Sequence, residues 1–148
     1  TTHAACLGLG FVLGIYTLPL LTATPPPSAL ERQALSERAM FRAAFRRDLA
    51  GSDALHWGEG ELIIGADKVI HHGRLAPGPD YRLYLTPEFV ETDVGFLALK
   101  DRATEVGSIK GFEGFVLALP AGVNVNDYRA AVVWCESFQM FITAAAFN

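Results

Sequence analysis

The segment AAVVWCESF, Ala130 to Phe138, sets Cys135 in an apolar run; the only other cysteine is Cys6, near the opposite end of the chain. A thiol can be a redox group, a metal ligand or a small buried hydrophobe. Redox use needs an accessible sulfur with a depressed pKa, typically beside a cation. The nearest upstream cation, Arg129, is six residues away on the same strand face, too far along the strand to touch the sulfur. Strand alternation puts Cys135 on one face with Val133, and Trp134 on the other with Val132. Composition around the sulfur favours burial.

Other reactive side chains do not converge in the sequence. His71 and His72 are adjacent, so on a strand they point to opposite faces and do not naturally share a metal. His56 stands beside Trp57 and His3 lies far upstream, without the spacing of a zinc or copper site. Glu59, Glu61 and Glu136 could each act as acid or base, but no pairing is readable. There is no nucleophile motif, phosphate loop or CxxCH haem site. The expectation is therefore no catalytic residue, no metal site and no cofactor. Net charge is -4, with no basic block interleaved with aromatics, so nucleic acid is not an expected partner.

The elements that must position Cys135 are of three kinds. Hydrophobic residues make up 51% of the chain, and the excess lies in residues 1–24. From Ala4 to Thr24 no residue is charged, and the first charge is Glu31. Such a run spans about 30 Å as a helix, a bilayer's hydrocarbon thickness. It is long for a signal h-region, and Cys6 precedes the run where a lipobox cysteine would follow it. The reading is a retained transmembrane helix. Thr1 in place of Met implies a trimmed or partial N-terminus, beyond which topology-setting basic residues would lie. Gly10 and Gly14 share one helix face and are candidates for close helix packing, and Pro19 predicts a mild kink.

Residues 25–50 read as a Pro-rich linker and an amphipathic helix. TPPPS favours a stiff polyproline spacer. Ser28 and Glu31 form a capping-box pattern opening a helix. Leu30, Ala34, Phe41, Phe45 and Leu49 form its apolar stripe, with Arg32, Arg38, Arg42, Arg46 and Arg47 mostly off it. Such a basic helix suits lipid headgroups, a partner protein or its own domain. Residues 51–148 change character: ELIIG, KVIHH, YRLYLTP, VGFLAL, GFVLALP, YRAAVVWC and MFITAAAF are short runs separated by turn signals. GAD at Gly65–Asp67 reads as a hairpin; APGPD and PAGVN read as loops. The fold class is mainly β, an antiparallel β-sandwich or barrel behind a transmembrane and an amphipathic helix.

The stations GEGELII, LAPGPDYRLYLTP, GSIKG, LPAGVNVNDYRAAVVWCESF and AAAF, between Gly58 and Phe147, resemble the DM-thirteen domain, described as an electron-transfer domain. The resemblance implies an extracytoplasmic β-sandwich on a membrane anchor. It also marks Cys135 as the possible redox residue. The chain departs from the pattern where MFITAAAF stands in place of a glycine-bearing final strand, and no second cysteine is available for a disulfide switch. Topology is pulled two ways. Arginines following the span favour the cytoplasmic side, whereas the resemblance implies a single pass through a bacterial cytoplasmic (inner) membrane with the domain in the periplasm.

Two functions follow as expectations. One is a non-catalytic accessory or structural subunit of an energy-transducing complex, a photosynthetic reaction centre or a respiratory chain. Its partners would be the other subunits and membrane lipid. The alternative is a periplasmic redox domain acting through Cys135 or a bound cofactor. A lone ligand-binding envelope protein is a weaker third.

Overall fold

The computed structural model describes residues 2–147. In chain order it contains α1 (Thr2–Leu21), α2 (Ala29–Ser36), β1 (Phe41–Phe45), β2 (Gly58–Ile64), β3 (Lys68–Leu75) and β4 (Tyr81–Thr86). These are followed by α3 (Asp93–Leu99), β5 (Thr104–Ile109), β6 (Phe115–Ala118), β7 (Ala130–Cys135) and β8 (Met140–Ala146). The strands form two antiparallel four-stranded sheets, ordered β1-β2-β3-β6 and β5-β4-β7-β8. Contacts between β1 and β8 and between β5 and β6 bring the sheets together at both edges. A long apolar helix precedes this sandwich.

Period-two alternation builds the core. Leu62, Ile64 and Val69 point between the sheets with Leu83, Leu85, Val133 and Ile142. Ile63 and Ile70, one residue out of phase, face outward beneath Leu35 of α2. On the far side, Val132 and Trp134 face outward under Phe96 and Leu99 of α3. The alternation read for β7 therefore holds, with Cys135 and Val133 inward and Trp134 and Val132 outward. The GAD hairpin also forms, closed by Gly65 N donating to Lys68 O at 2.9 Å.

Two expected elements are corrected. The amphipathic helix does not run to Leu49. The Ser28–Glu31 capping box opens it as expected, but it ends at Ser36, and Phe41–Phe45 is a strand paired antiparallel with β2. The reason is a degeneracy of spacing. Residues four apart share a face in a strand as well as in a helix, so Phe41 and Phe45 fitted both. Ladder bonds to β2 and burial of Phe45 against the sheets decide for the strand. Leu30, assigned to the apolar stripe, is exposed, and Leu35 makes the core contact. Three of the five arginines answer carboxylates of the domain or its approach: Arg42 to Glu61 at 2.6 Å, Arg47 to Glu59 at 2.7 Å and Arg46 to Asp48 at 3.0 Å. The second correction is VGFLAL, expected as a strand. Thr92 caps it by accepting from Gly95 N at 3.1 Å, and it coils into α3, burying Phe96 and Leu99. The strand β5, with little apolar content, was not anticipated.

The proline linker is fastened to the domain. Thr24 N donates to Lys110 O at 2.9 Å, and Pro27 is buried. Gly111 and Gly114 leave room for it: a Cβ on them would lie 2.9 Å from Thr24 Oγ1 and from Pro27 Cδ, respectively. Within α1 the described residues are exposed except Ile15 and Pro19, which lie four apart and so on one face.

Candidate functional site

Cys135 ends β7, where the chain passes into the Glu136–Gln139 turn. It is 2% exposed. Cross-strand pairing places Tyr81 of β4 on one side of it and Met140 of β8 on the other. These three, with His56, Leu55, Phe138, Ile142, the Pro77–Pro79 loop and Ile15 and Tyr16 of α1, line a cavity of about 30 Å³. That volume is about the room of one water molecule.

Each part of the wall has a local cause. Gly78 is bare because a Cβ there would lie 2.4 Å from the Tyr81 ring. The glycine of the Gly-Pro-Asp station thus lets the loop lie against the tyrosine. Asp80 then ties that loop to the turn: its carboxylate accepts from Ser137 Oγ at 3.1 Å and Arg82 Nε at 3.2 Å, and its carbonyl from Glu136 N at 3.0 Å. His56 is held by Asp53, whose carboxylate meets Nδ1 at 2.9 Å. Tyr81 also packs edge-on to Phe112.

The electrostatics favour the neutral thiol. Burial pushes the Cys135 thiol above the usual cysteine range, and the Asp80 charge adds to this. Backbone N–H groups of Phe138, Asp80 and Ser137 pull the other way without overcoming burial. Burial likewise raises the Tyr81 phenol, with Cys135 a lesser cause. Arg129 sits beyond the opposite end of β7, pointing its guanidinium at the carbonyls of Tyr128 and Asn126. Cys135 therefore gains nothing from it.

The structure separates the remaining site residues. His71 is buried between the rings of Phe45 and Phe115, each 5.1 Å away, while His72 faces solvent. Glu59 and Glu61 are occupied by Arg47 and Arg42. Glu136 lies on the outer face, accepting from Lys100 Nζ at 2.8 Å and from Tyr84 Oη. Lys100 in turn stands 5.5 Å above the Trp134 ring. Among the described residues no three His, Cys, Asp or Glu side chains gather as a metal cluster. Cys135 and Met140, whose thiol and thioether are soft donors of the kind that suit a cuprous ion, line the same cavity as His56. Gly10 and Gly14 face open space on α1. Sequence reasoning missed His56, Tyr81 and Met140 as neighbours of Cys135; the Tyr81 and Met140 pairings follow from strand registers, which no single segment displays.

A family model described as electron transfer DM13 matches residues 48–147, two-thirds of the chain. The chain belongs to the electron transfer DM13 family. Neither a curated protein nor a solved structure matches it. Membership associates this chain with a redox-related role, and its DM13 domain carries Cys135 on the inward face of the central strand pair, at the end of β7. The match begins at Asp48, so β1 lies outside it although it completes a sheet of the DM13 sandwich. Preceding both is α1, among the described residues the single helix long and apolar enough to cross a membrane, a test that a signal sequence also passes.

Proposed function

We propose that this DM13 chain is a non-catalytic accessory subunit of a membrane electron-transport assembly, respiratory or photosynthetic. In this reading α1 is its single-pass anchor in a bacterial cytoplasmic membrane, and the β domain stands in the periplasm. One observation carries the proposal: the linker is locked to the domain by the Thr24–Lys110 bond and the buried Pro27. A tethered carrier that shuttles between partners works through a flexible linker of large reach. A subunit that holds a place in an assembly needs the opposite, an anchor and domain coupled rigidly. The open Gly10–Gly14 face of α1 provides a surface on which another helix can approach closely.

The test is extraction of the tagged protein from native membranes in mild detergent, with its visible spectrum recorded beside its co-purifying subunits. Recovery in stoichiometric amounts with a coloured complex, the colour remaining with the other subunits once this chain is removed, is the expected result. A chain recovered alone and colourless overturns the proposal.

The second reading is redox chemistry at Cys135, favoured by one specific arrangement. Tyr81, Met140 and His56 share its cavity, and three backbone N–H groups offset part of the burial that holds the thiol neutral. A chain that is recovered alone yet absorbs in the visible would support it. So would loss of electron transfer on Cys135→Ala with the fold intact.

A further inference from the structure

We infer that the end of the β domain around Leu55, Pro77–Pro79 and Phe138 is a membrane-seated surface, resting in the headgroup and upper acyl region of the bilayer that α1 crosses. The inference rests on reading α1 as an anchor and adds to it the depth and orientation of the domain.

The argument starts from where α1 touches the domain. Ile15 and Pro19 are the partly covered positions of the helix, and Ile15 and Tyr16 share a cavity wall with Leu55, His56, Pro77, Pro79 and Phe138. Pro79 also borders the groove running along α1 from Gly10 to Thr22. These contacts fall inside the helix, not beyond its end. At ~1.5 Å per residue, Tyr16 lies about 7–8 Å before the C-terminal end of α1 at Leu21. The twenty residues of α1 span about 30 Å, which is the hydrocarbon thickness, so its end sits near the hydrocarbon boundary. Anything seated beside Tyr16 is then about 5–10 Å into that boundary, the depth at which interfacial amphipathic segments settle.

The side chains at that level suit the position. Leu55 and Phe138 are 59% and 56% exposed, large apolar groups that line the same cavity as the helix contact. Tyr16 is itself a residue of the kind that collects at the water–lipid boundary. Further out, exposed Lys110 lies beside Thr24, where its ammonium reaches the phosphate layer while its backbone holds the linker. The carboxylates of Asp53 and Asp80 at this end carry hydrogen bonds from within the domain: Asp53, although exposed, accepts from the N–H groups of Leu55 and His56, and Asp80 from Arg82 and Ser137. These bonds offset part of their desolvation at an interface. One consequence concerns Cys135. Tyr16, Leu55 and Phe138 line its cavity, so this seat brings lipid against the cavity that holds the sulfur.

The experiment reconstitutes the full chain in phosphatidylcholine–phosphatidylglycerol vesicles containing a phospholipid with a diazirine near the top of its acyl chain. After illumination, adducts are mapped by peptide mass spectrometry. Adducts on α1 together with the Ser52–Trp57 or Glu136–Met140 peptides are the expected pattern. Adducts on α1 alone overturn the inference and leave the anchor standing. An α1 free of adducts overturns both, because the depth argument is measured along that helix. The double variant Leu55→Glu/Phe138→Glu, changing two mostly exposed side chains, should cut tip labelling several-fold with α1 labelling unchanged. Unchanged tip labelling in that variant would also overturn the inference.

Discussion

His71 is the residue whose chemistry most clearly marks the folded state. Its Nε2 lies 3.0 Å from Glu59 O, and a carbonyl can only accept, so Nε2 carries the proton and Nδ1 is a bare lone pair with no partner. Burial depresses the pKa to about 4 from an ordinary 6.5. The unfolded chain therefore binds a proton that the folded chain refuses between those values. Stability from this group is present above pH 6.5 and falls as pH drops toward 4, by about 3 kcal/mol in all at ~1.4 kcal/mol per unit. Urea midpoints of the detergent-solubilised chain should fall across that window, and His71→Phe should flatten the fall. Acid loss at still lower pH would remain, since hydrogen bonds hold the Asp53 and Glu59 carboxylates below their usual range. A parallel expectation holds for Cys135. In a Cys6→Ser background it should react with a bulky thiol reagent at least ten times more slowly in the folded chain than in urea, being 2% exposed and held neutral. Equal rates would show that the cavity opens freely.

At the scale of elements, Phe41–Phe45 tests the strand assignment against the helix that spacing alone allowed. Phe45 is 2% exposed and packs on His71, so Phe45→Ala should cost about 3–5 kcal/mol. Leu30 is 79% exposed, and Leu30→Ala should fall within about 0.5 kcal/mol of no effect. A long amphipathic helix would have made both core residues, so similar costs would contradict the strand. The β2–β3 pair offers a backbone test. A Cβ on Gly73 would lie 2.0 Å from Glu59 O and 2.6 Å from Gly60 Cα, and Gly60 itself adopts φ +114°. The strands cannot approach so closely with a side chain between them. Gly73→Ala should destabilise by about 2–4 kcal/mol in chemical denaturation.

For the whole molecule, the question is whether anchor and domain move as one. Replacing Pro25–Pro27 by Gly-Ser-Gly removes the buried Pro27 and the stiffness of the spacer. Hydrogen exchange should then accelerate at the Thr24 amide, now bonded to Lys110 O, while β7 and β8 stay protected. Unchanged exchange would mean that the Thr24 bond holds without the prolines. Exchange that is fast in the unaltered chain would remove the coupling on which the accessory-subunit proposal stands.

Much of the molecule was legible along the chain, because some of its determinants are local. Charge-free length makes α1, the Ser28–Glu31 pair starts α2, Gly65–Asp67 turns the hairpin, and alternation separates Cys135 from Trp134 and His71 from His72. What the sequence left open involved residues distant along the chain. Spacing of four cannot tell strand from helix at Phe41–Phe45 until β2 supplies the ladder. VGFLAL lacks a strand partner and buries Phe96 against Trp134 as a helix instead. Cys135 acquires its surroundings from β4, β8, the His56 loop and α1, brought together by register and by a linker pinned at Lys110, the residue after the cross-strand partner of Tyr81. Local propensity and periodicity are written in neighbouring residues. Closure of a cavity, the loss of a cation partner and the seat of a domain against its anchor depend on contacts that only the packed chain makes.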